Sequence, residues 1–254
     1  EFNEATLFDP KGNFSVAGGY ASSLGGLYPD GMLTRDDAKH KRTRRASQPA
    51  FKNDALKTYV DMLIPIQERR IQDLPINEEF IFYDNIQKTL MDVAARVFIG
   101  LDELSPEAKK LGHLFSEINE GLITPLPYDL PFLQFRKSLK AREELRQFFI
   151  ENIPKRRGSN GLDMFTRYCN AKDEDGEYLD DIDIDGHIAF LLFAAFDTTT
   201  SALTNILYYL GKNPEWQDKV RNEIFSVTNE MPTFEDLAEM NLTEYVFQET
   251  LRFY

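Results

Sequence analysis

The chain has 254 residues, 42% of them hydrophobic, which is enough to build one large domain with a sizeable core. Its formal net charge of -13 argues against general nucleic-acid binding, because proteins with that role present a basic face. The single cysteine, Cys169, excludes a disulfide framework and is compatible with a cytoplasmic location. The first residues carry neither a signal-peptide pattern nor an initiating methionine, so we expect an internal portion of a longer protein.

Helical periodicity dominates the sequence and predicts a mainly α fold. The first 31 residues are glycine-rich and predict irregular structure. The predicted helices are 39–50 after a cap at Asp36 or Asp37, 53–74 with a bend or break at Pro65, 78–100, 106–122, 134–153, 188–210, 214–228 and 233–253. Three prolines exclude regular structure in the loop after residue 122, and residues 172–185 predict an acidic loop.

The predicted helix over residues 188–210 is long enough to cross a membrane. Its middle, however, contains Asp197 followed by three threonines, and a charge at the centre of a bilayer costs at least ~2.5 kcal/mol. A buried helix of a protein without an integral membrane span is therefore the favoured interpretation.

The segment Ala194–Thr199 places a carboxylate and two hydroxyls inside this apolar helix. Burying such groups without partners costs about 1–3 kcal/mol each. Threonines within a helix can bond to the carbonyl one turn earlier and open a gap that holds water. Asp197, Thr198 and such a water could relay protons into a dry site. The alternative is a helix whose polar residues simply face polar neighbours.

Two other short patterns pair charges along helices. Glu249 and Arg252 are three residues apart, so their side chains can meet on one helix face. Glu143 and Arg146 repeat this spacing, and we expect the second pair to be an exposed salt bridge on a surface helix.

The basic run from Lys39 to Arg45 places His40 and Arg44 one helical turn apart, so both can reach a single anionic group. A solvated basic face is the alternative. The run is also a basic island on an acidic protein and could steer an acidic electron donor towards it.

Taken together, these motifs resemble the cytochrome P450 family in kind and order. The family's oxygen-binding helix has the pattern Ala/Gly-Gly-x-Asp/Glu-Thr-Thr/Ser, which Ala194–Thr199 matches except for Ala195 in place of glycine. Glu249 and Arg252 match the family's Glu-x-x-Arg, and His40 and Arg44 match the helix that binds a haem propionate. The resemblance spans about the B to K helices and implies a mainly α fold with a minor sheet, in a single domain over residues 1–254. Residues 125–143 are similar to the region between the F and G helices that covers the substrate channel.

The resemblance implies a haem b cofactor and insertion of one oxygen atom from O₂ into an apolar substrate such as a terpenoid, retinoid, sterol or fatty acid. Electrons would come from a ferredoxin- or flavodoxin-type donor, docking at Lys39–Arg45. Asp197 and Thr198 would deliver protons for O–O cleavage, and Ala194, Ala195 and Thr198 would lie against the haem. His40 and Arg44 would pair with a propionate, while Glu249 and Arg252 brace the scaffold. Candidate substrate contacts are Phe14, Tyr20, Leu122, Ile123, Phe193 and Phe196.

The family also requires a cysteine ligand for iron, in a glycine-bounded loop after Glu-x-x-Arg. Cys169 lacks the surrounding phenylalanine and glycines and precedes the oxygen helix. It is therefore interpreted as an ordinary, partly buried cysteine, and the iron ligand is expected beyond Tyr254.

A second hypothesis comes from Asp181, Asp183, Asp185 and Gly186, which form the D-x-D-x-D-G start of a calcium loop. Leu192 stands where the closing glutamate of such a loop belongs. Acidic residues also gather in the first turn of a helix because its dipole stabilises them by ~0.3–1 kcal/mol each. A calcium-binding or non-catalytic binding protein therefore stays open as an alternative.

Overall fold

The computed structural model describes residue 4 and residues 12–253, so the prediction for the other residues before 12 lies outside the described part. The described residues are predominantly helical. The α-helices, numbered in chain order, are α1 Val16–Tyr20, α2 Asp37–Ser47, α3 Asn53–Gln72, α4 Phe82–Val93, α5 Pro106–Leu122, α6 Gln134–Arg156, α7 Met164–Cys169, α8 Asp181–Lys212, α9 Pro214–Val227 and α10 Asn241–Phe253. Short 3₁₀ turns lie at Met32–Thr34, Gln48–Phe51 and Asp236–Glu239.

Most predicted helices are confirmed, and the differences have local causes. Helix α3 continues through Pro65 without a break. A proline removes one hydrogen bond, while buried Tyr59 and Ile66 fix both halves of the helix in the core. Helix α8 begins at Asp181, inside the predicted acidic loop, and the short α7 was not predicted. Among residues 12–253 the extended pairing is an isolated bridge between Lys172 and Tyr178, so the expected minor sheet is not formed there.

The described chain divides into two compact units. The first contains residues 12–49, 109–161 and 165–191. Its core is aromatic: Phe149 of α6 meets Phe165 of α7 edge-to-face, with ring centroids 5.0 Å apart, and both rings are fully buried. Tyr28 is also buried and donates a hydrogen bond from its hydroxyl to Asn119 of α5 at 2.8 Å. The first contact joins α6 to α7, and the second joins α5 to the segment that precedes α2.

The second unit contains residues 50–108, 162–164 and 192–253. Arg69 and Arg70 of α3 both donate to the carboxylate of Asp92 on α4, at 2.9 and 2.7 Å. Helix α4 continues into a π-helix at Ala94–Ile99, which ends at Gly100 in the left-handed conformation with φ 73°. Gly100 also lets the Asp163 carboxyl group pack against its Cα, where a side chain would clash.

Helix α8 changes environment along its length. Residues 183–190 are buried without exception, whereas residues 193–199 are half-buried or exposed. Burial of the whole apolar run was predicted, and this is wrong for its second half. The helix has the length and composition of a membrane span, with 17% of its most apolar window buried. The buried carboxylates in its first turns are paired with arginines of the protein, as described below, which is the pattern of a helix packed in protein.

Candidate active site

Within α8, Thr198, Thr200 and Thr204 bond backward along the helix as predicted, whereas Thr199 makes no such bond among the described residues. The Thr198 hydroxyl donates to the Ala194 carbonyl at 2.7 Å, and the Thr200 hydroxyl donates to the Phe196 carbonyl at 2.8 Å. The predicted gap does not follow, because α8 is α-helical from Asp181 to Lys212 without interruption. The hydroxyls therefore satisfy carbonyl lone pairs beside an intact ladder of backbone bonds.

Asp197 and Thr198 are exposed, while Ala194 and Ala195 are half-buried. The two residues of the proposed proton relay thus lie on a face of α8 that the described residues leave open. Neighbouring protein atoms still displace enough water to raise the pKa of Asp197 above its ordinary value. A carboxyl group with a raised pKa can hold a proton at higher pH than a solvated aspartate, which suits a group that passes protons on.

The first turns of α8 contain two buried ion pairs. Asp185 accepts two bonds from the Arg142 guanidinium of α6, at 3.0 and 2.7 Å, and Arg142 Nε donates to the Leu27 carbonyl at 3.0 Å. Asp183 lies 2.6 Å from Arg35. The side chains of both pairs are no more than 8% exposed. The sequence could not reveal these arginine partners, which are 43 and 148 positions away in the chain.

These pairs contradict the calcium-loop hypothesis for Asp181, Asp183 and Asp185. Each carboxylate has its own arginine, since Asp181 pairs with Arg157 at 2.6 Å, and so the three do not surround a common ion. Among the described residues, no group of three or more His, Cys, Asp or Glu side chains could hold a metal ion. Gly186 lies inside the helix, where its missing side chain admits the Asp30 backbone: an added Cβ would be 2.5 Å from the Asp30 carbonyl oxygen.

Helix α2 has two chemically different flanks. On one, Arg42 donates to Asp173 at 2.8 and 2.7 Å, and Arg45 pairs with Glu174. On the other are His40 and Arg44, whose side chains have no hydrogen-bond or ion-pair partner among the described side chains. Two donors one turn apart and without partners fit a carboxylate such as a haem propionate. The basic run is accordingly less positive than its composition indicates, because the acidic loop compensates part of it.

Both Glu-x-x-Arg copies form ion pairs between exposed side chains. Glu249 accepts two bonds of 2.7 Å from Arg252, which lower the pKa of Glu249, but the side chains are 56% and 63% exposed. The pair therefore forms as its spacing predicts, and both side chains are exposed among the described residues. Glu143 and Arg146 form the predicted exposed bridge, with a longer N···O distance of 3.4 Å. The two-bond geometry is what separates the first copy from the second.

An apolar groove of about 450 Å³ lies at the end of α8, in the second unit. Its lining residues are Tyr209, Leu210, Asn213, Trp216, Tyr245, Val246, Glu249, Thr250 and Phe253. None of the predicted substrate contacts is among them. Leu122, Phe193 and Phe196 are half-buried, whereas Ile123 is 84% exposed, Phe14 51% and Tyr20 41%. Cys169, predicted to be partly buried, is buried completely.

Comparison with known proteins agrees with this arrangement. The family model "Cytochrome P450" matches residues 13–254. The chain is 30% identical over 242 residues to the putative cytochrome P450 136 of Mycobacterium tuberculosis, covering 92% of this chain and 48% of that protein. It is 30% identical over 233 residues to abscisic acid 8'-hydroxylase 2 of Arabidopsis thaliana, covering 88% of this chain and 48% of that protein.

Solved structures show the same fold. The retinoic acid-bound cyanobacterial CYP120A1 superposes with a TM-score of 0.82 at 28% identity, covering 91% of this chain and 53% of that one. The match covers nearly all of the chain and identifies the fold as that of a class of helical haem proteins. The chain belongs to the cytochrome P450 family. It spans about half the length of the curated relatives it matches.

Proposed function

We propose that this chain forms the distal and propionate-binding part of a haem-dependent monooxygenase that inserts one oxygen atom from O₂ into an apolar organic substrate. The observation that carries the proposal is a pair of donors on one flank of α2, His40 and Arg44, which have no partner among the side chains that the structure describes. Family membership implies a haem, and this flank carries two hydrogen-bond donors that can bind a haem propionate. The proposal takes the iron ligand of the family to be a cysteine other than Cys169, expected beyond Tyr254.

Haem, when bound through a cysteine thiolate, supplies the activation of O₂. The Arg44 guanidinium and the His40 imidazole would hold one propionate by charge-assisted hydrogen bonds. The methyl groups of Ala194 and Ala195 would form an apolar wall that excludes water. Ala195, where the family has glycine, leaves less room there than a glycine would.

Asp197 and Thr198 move protons in this proposal. Asp197 would exchange a proton with solvent, which its exposed position on α8 allows, and its raised pKa lets it hold that proton at a higher pH than a solvated aspartate does. The Thr198 hydroxyl, which donates to the Ala194 carbonyl in the structure, would turn about its Cα–Cβ bond to donate to O₂ or to a nearby water. Glu249 and Arg252 would brace the scaffold through their two-bond ion pair.

The substrate is proposed to be terpenoid, retinoid, sterol or fatty-acid-like. Relatives named as acting on abscisic acid, β-amyrin and taxoids, and a structural relative that binds retinoic acid, support this class. The electron donor is proposed to be of the ferredoxin or flavodoxin type. The donor would dock on the outer face of α2, where Lys41 is exposed beside the paired arginines. The protein itself is proposed to be cytoplasmic.

Carbon monoxide spectroscopy of the reduced full-length protein tests the proposal. A red-shifted Soret band, typical of thiolate ligation, is the expected result. Haem binding without that band would contradict a monooxygenase of this family, and no haem binding at all would leave a non-catalytic scaffold. Calorimetric titration with calcium is the complementary measurement, and we expect no saturable heat from Asp181, Asp183 and Asp185, since each already binds an arginine.

A further inference from the structure

The loop between α7 and α8 contains a carboxylate that is saturated with hydrogen bonds. Asp173 Oδ1 accepts the backbone N–H groups of Asp175 and Glu177, both at 3.0 Å. Its Oδ2 accepts Arg42 Nε at 2.8 Å and lies 2.7 Å from a terminal guanidinium nitrogen of Arg42. The Asp173 side chain is only 4% exposed, in a loop of otherwise exposed acidic residues.

The turn that presents Asp173 is itself held in shape. Lys172 and Tyr178 pair across it, and Gly176 takes the left-handed conformation at φ 81° that closes it. The Asp173 N–H donates to the Glu177 carbonyl at 2.9 Å. Burial opposes ionisation of this carboxyl group, but the Arg42 guanidinium and the backbone N–H groups prevail and lower the pKa of Asp173. The carboxylate is thus a fixed, ionised acceptor.

Arg42 transmits this fixed point to α2. At about 100° per residue, Arg42 and Arg45 lie about 60° apart on the helix, and His40 and Arg44 about 40° apart on the other flank. Between the two flanks lie Thr43, Ala46 and Ser47, which are buried in the core. The Arg42–Asp173 contact holds one edge of this buried face, and so it acts together with the core contacts on the rotation of α2 about its axis and on the direction in which His40 and Arg44 project.

We propose that Asp173 is a positioning residue for the haem-binding flank of α2. Through Arg42 it fixes the helix rotation that aims Arg44 and His40 at one propionate. Asp173 contacts neither the cofactor nor the substrate. This inference rests on the proposed function, because the flank it orients is the one assigned to haem.

The test is hemin titration of the full-length protein, followed by the Soret absorbance, with urea unfolding measured in parallel. Asp173→Asn should weaken hemin binding about tenfold, as removal of an outer hydrogen-bond partner does for metal ligands. Asp175→Asn is the matched control: it removes the same charge from the same turn, and its exposed carboxylate bonds to no described side chain. That variant should bind hemin as the parent does.

A double-mutant cycle separates positioning from a general structural role. In an Arg44→Gln, His40→Ala background, Asp173→Asn should cause no further loss of hemin affinity, because the residues it acts through are gone. An additive loss, or equal affinities for Asp173→Asn and Asp175→Asn, overturns the inference. If Asp173→Asn fails to fold, Arg42→Lys, which keeps the charge but loses the two-bond contact, should give the same tenfold loss, and parental affinity there overturns the inference.

The arms also distinguish the inference from the function beneath it. Weaker hemin binding by Arg44→Gln with parental binding by Asp173→Asn overturns the positioning role and leaves the propionate assignment intact. Parental binding by Arg44→Gln removes the assignment and the inference together.

Discussion

Arg142 donates two N–H···O hydrogen bonds to the carboxylate of Asp185, and its Nε–H donates a third to the carbonyl of Leu27. The pair is buried, and it joins α6 to the first turns of α8. Burying two charges is costly, and the cost is offset here because every Asp185 oxygen has a donor and the guanidinium donates in three directions.

Arg142→Met should lower the free energy of unfolding by about 3–5 kcal/mol, because Asp185 would be left buried and unpaired. Arg146→Met is the matched control on the same helix. Its exposed bridge with Glu143 is worth at most ~1 kcal/mol. Urea unfolding of both variants measures the difference, and the double variant Arg142→Met, Asp185→Leu should recover most of the loss. Equal losses in the two single variants would show that the buried pair is not a major source of stability.

Gly186→Ala should destabilise the protein, although alanine is the better helix former. The new Cβ would lie 2.5 Å from the Asp30 carbonyl oxygen, and overpacking of this kind costs about 1–3 kcal/mol. Gly211→Ala, near the end of the same helix, has open space around the added methyl group and should gain up to ~1 kcal/mol. Thermal unfolding should therefore shift in opposite directions, and a stabilised Gly186→Ala would contradict the close packing of α8 on Asp30.

Thr198→Ala should uncouple electron use from product formation if Thr198 delivers protons. We expect product per electron pair to fall about tenfold or more, with peroxide released instead. Thr204→Ala is the control, because the Thr204 hydroxyl makes the same backward bond, to the Thr200 carbonyl at 2.7 Å, further along the helix. Assays of product and peroxide with the full-length enzyme decide the matter. Unchanged coupling in Thr198→Ala would make that hydroxyl structural.

His187 should make stability depend on pH. It is 1% exposed, and this burial is the main cause that lowers its pKa to about 3. The nearby charges of Arg35, His40 and Lys39 lower the pKa further, whereas Asp180 opposes the shift. An unfolded histidine titrates near 6.5, so between these values the unfolded chain binds the extra proton. The free energy of unfolding should thus fall by about 1.4 kcal/mol per pH unit from pH 6 to pH 4, and be unaffected by this group above pH 7.

Urea midpoints across that range measure the effect. His187→Gln should flatten the profile by about one proton, while His113→Gln, at an exposed histidine, should leave the slope as it is. A profile for His187→Gln that runs parallel to that of the parent would mean that His187 is protonated in the folded state.

Much of the helical order follows from local chemistry, which a sequence carries. Gly100 and the Ser105–Pro106 start mark helix ends correctly, and the backward bonds of Thr198 and Thr200 need only a neighbouring carbonyl. What could not be predicted is long-range pairing. The spacing of Asp183 and Asp185 is typical of a first helical turn or a calcium loop. Nothing in the local sequence indicates that they pair with Arg35 and Arg142.

The candidate site divides in the same way. The spacing of His40 and Arg44 predicted a shared face, and the structure leaves both side chains without described partners. Arg42 and Arg45, in contrast, are paired with Asp173 and Glu174. These acidic residues are 131 and 129 positions away, so the local sequence does not indicate the pairing. Exposure of Asp197 and of the Glu249–Arg252 pair also escaped prediction, because apolar neighbours in sequence do not show which face of a helix is covered.

The opposed flanks of α2 make its length a stricter requirement than its composition. One residue inserted between His40 and Arg42 would turn the two ends of the helix by about 100° relative to each other. The arginine that meets Asp173 and the histidine at the other flank could then no longer both face their own sides. Substitutions in this helix can be graded in effect, whereas insertions and deletions should be rare among proteins that use it in this way.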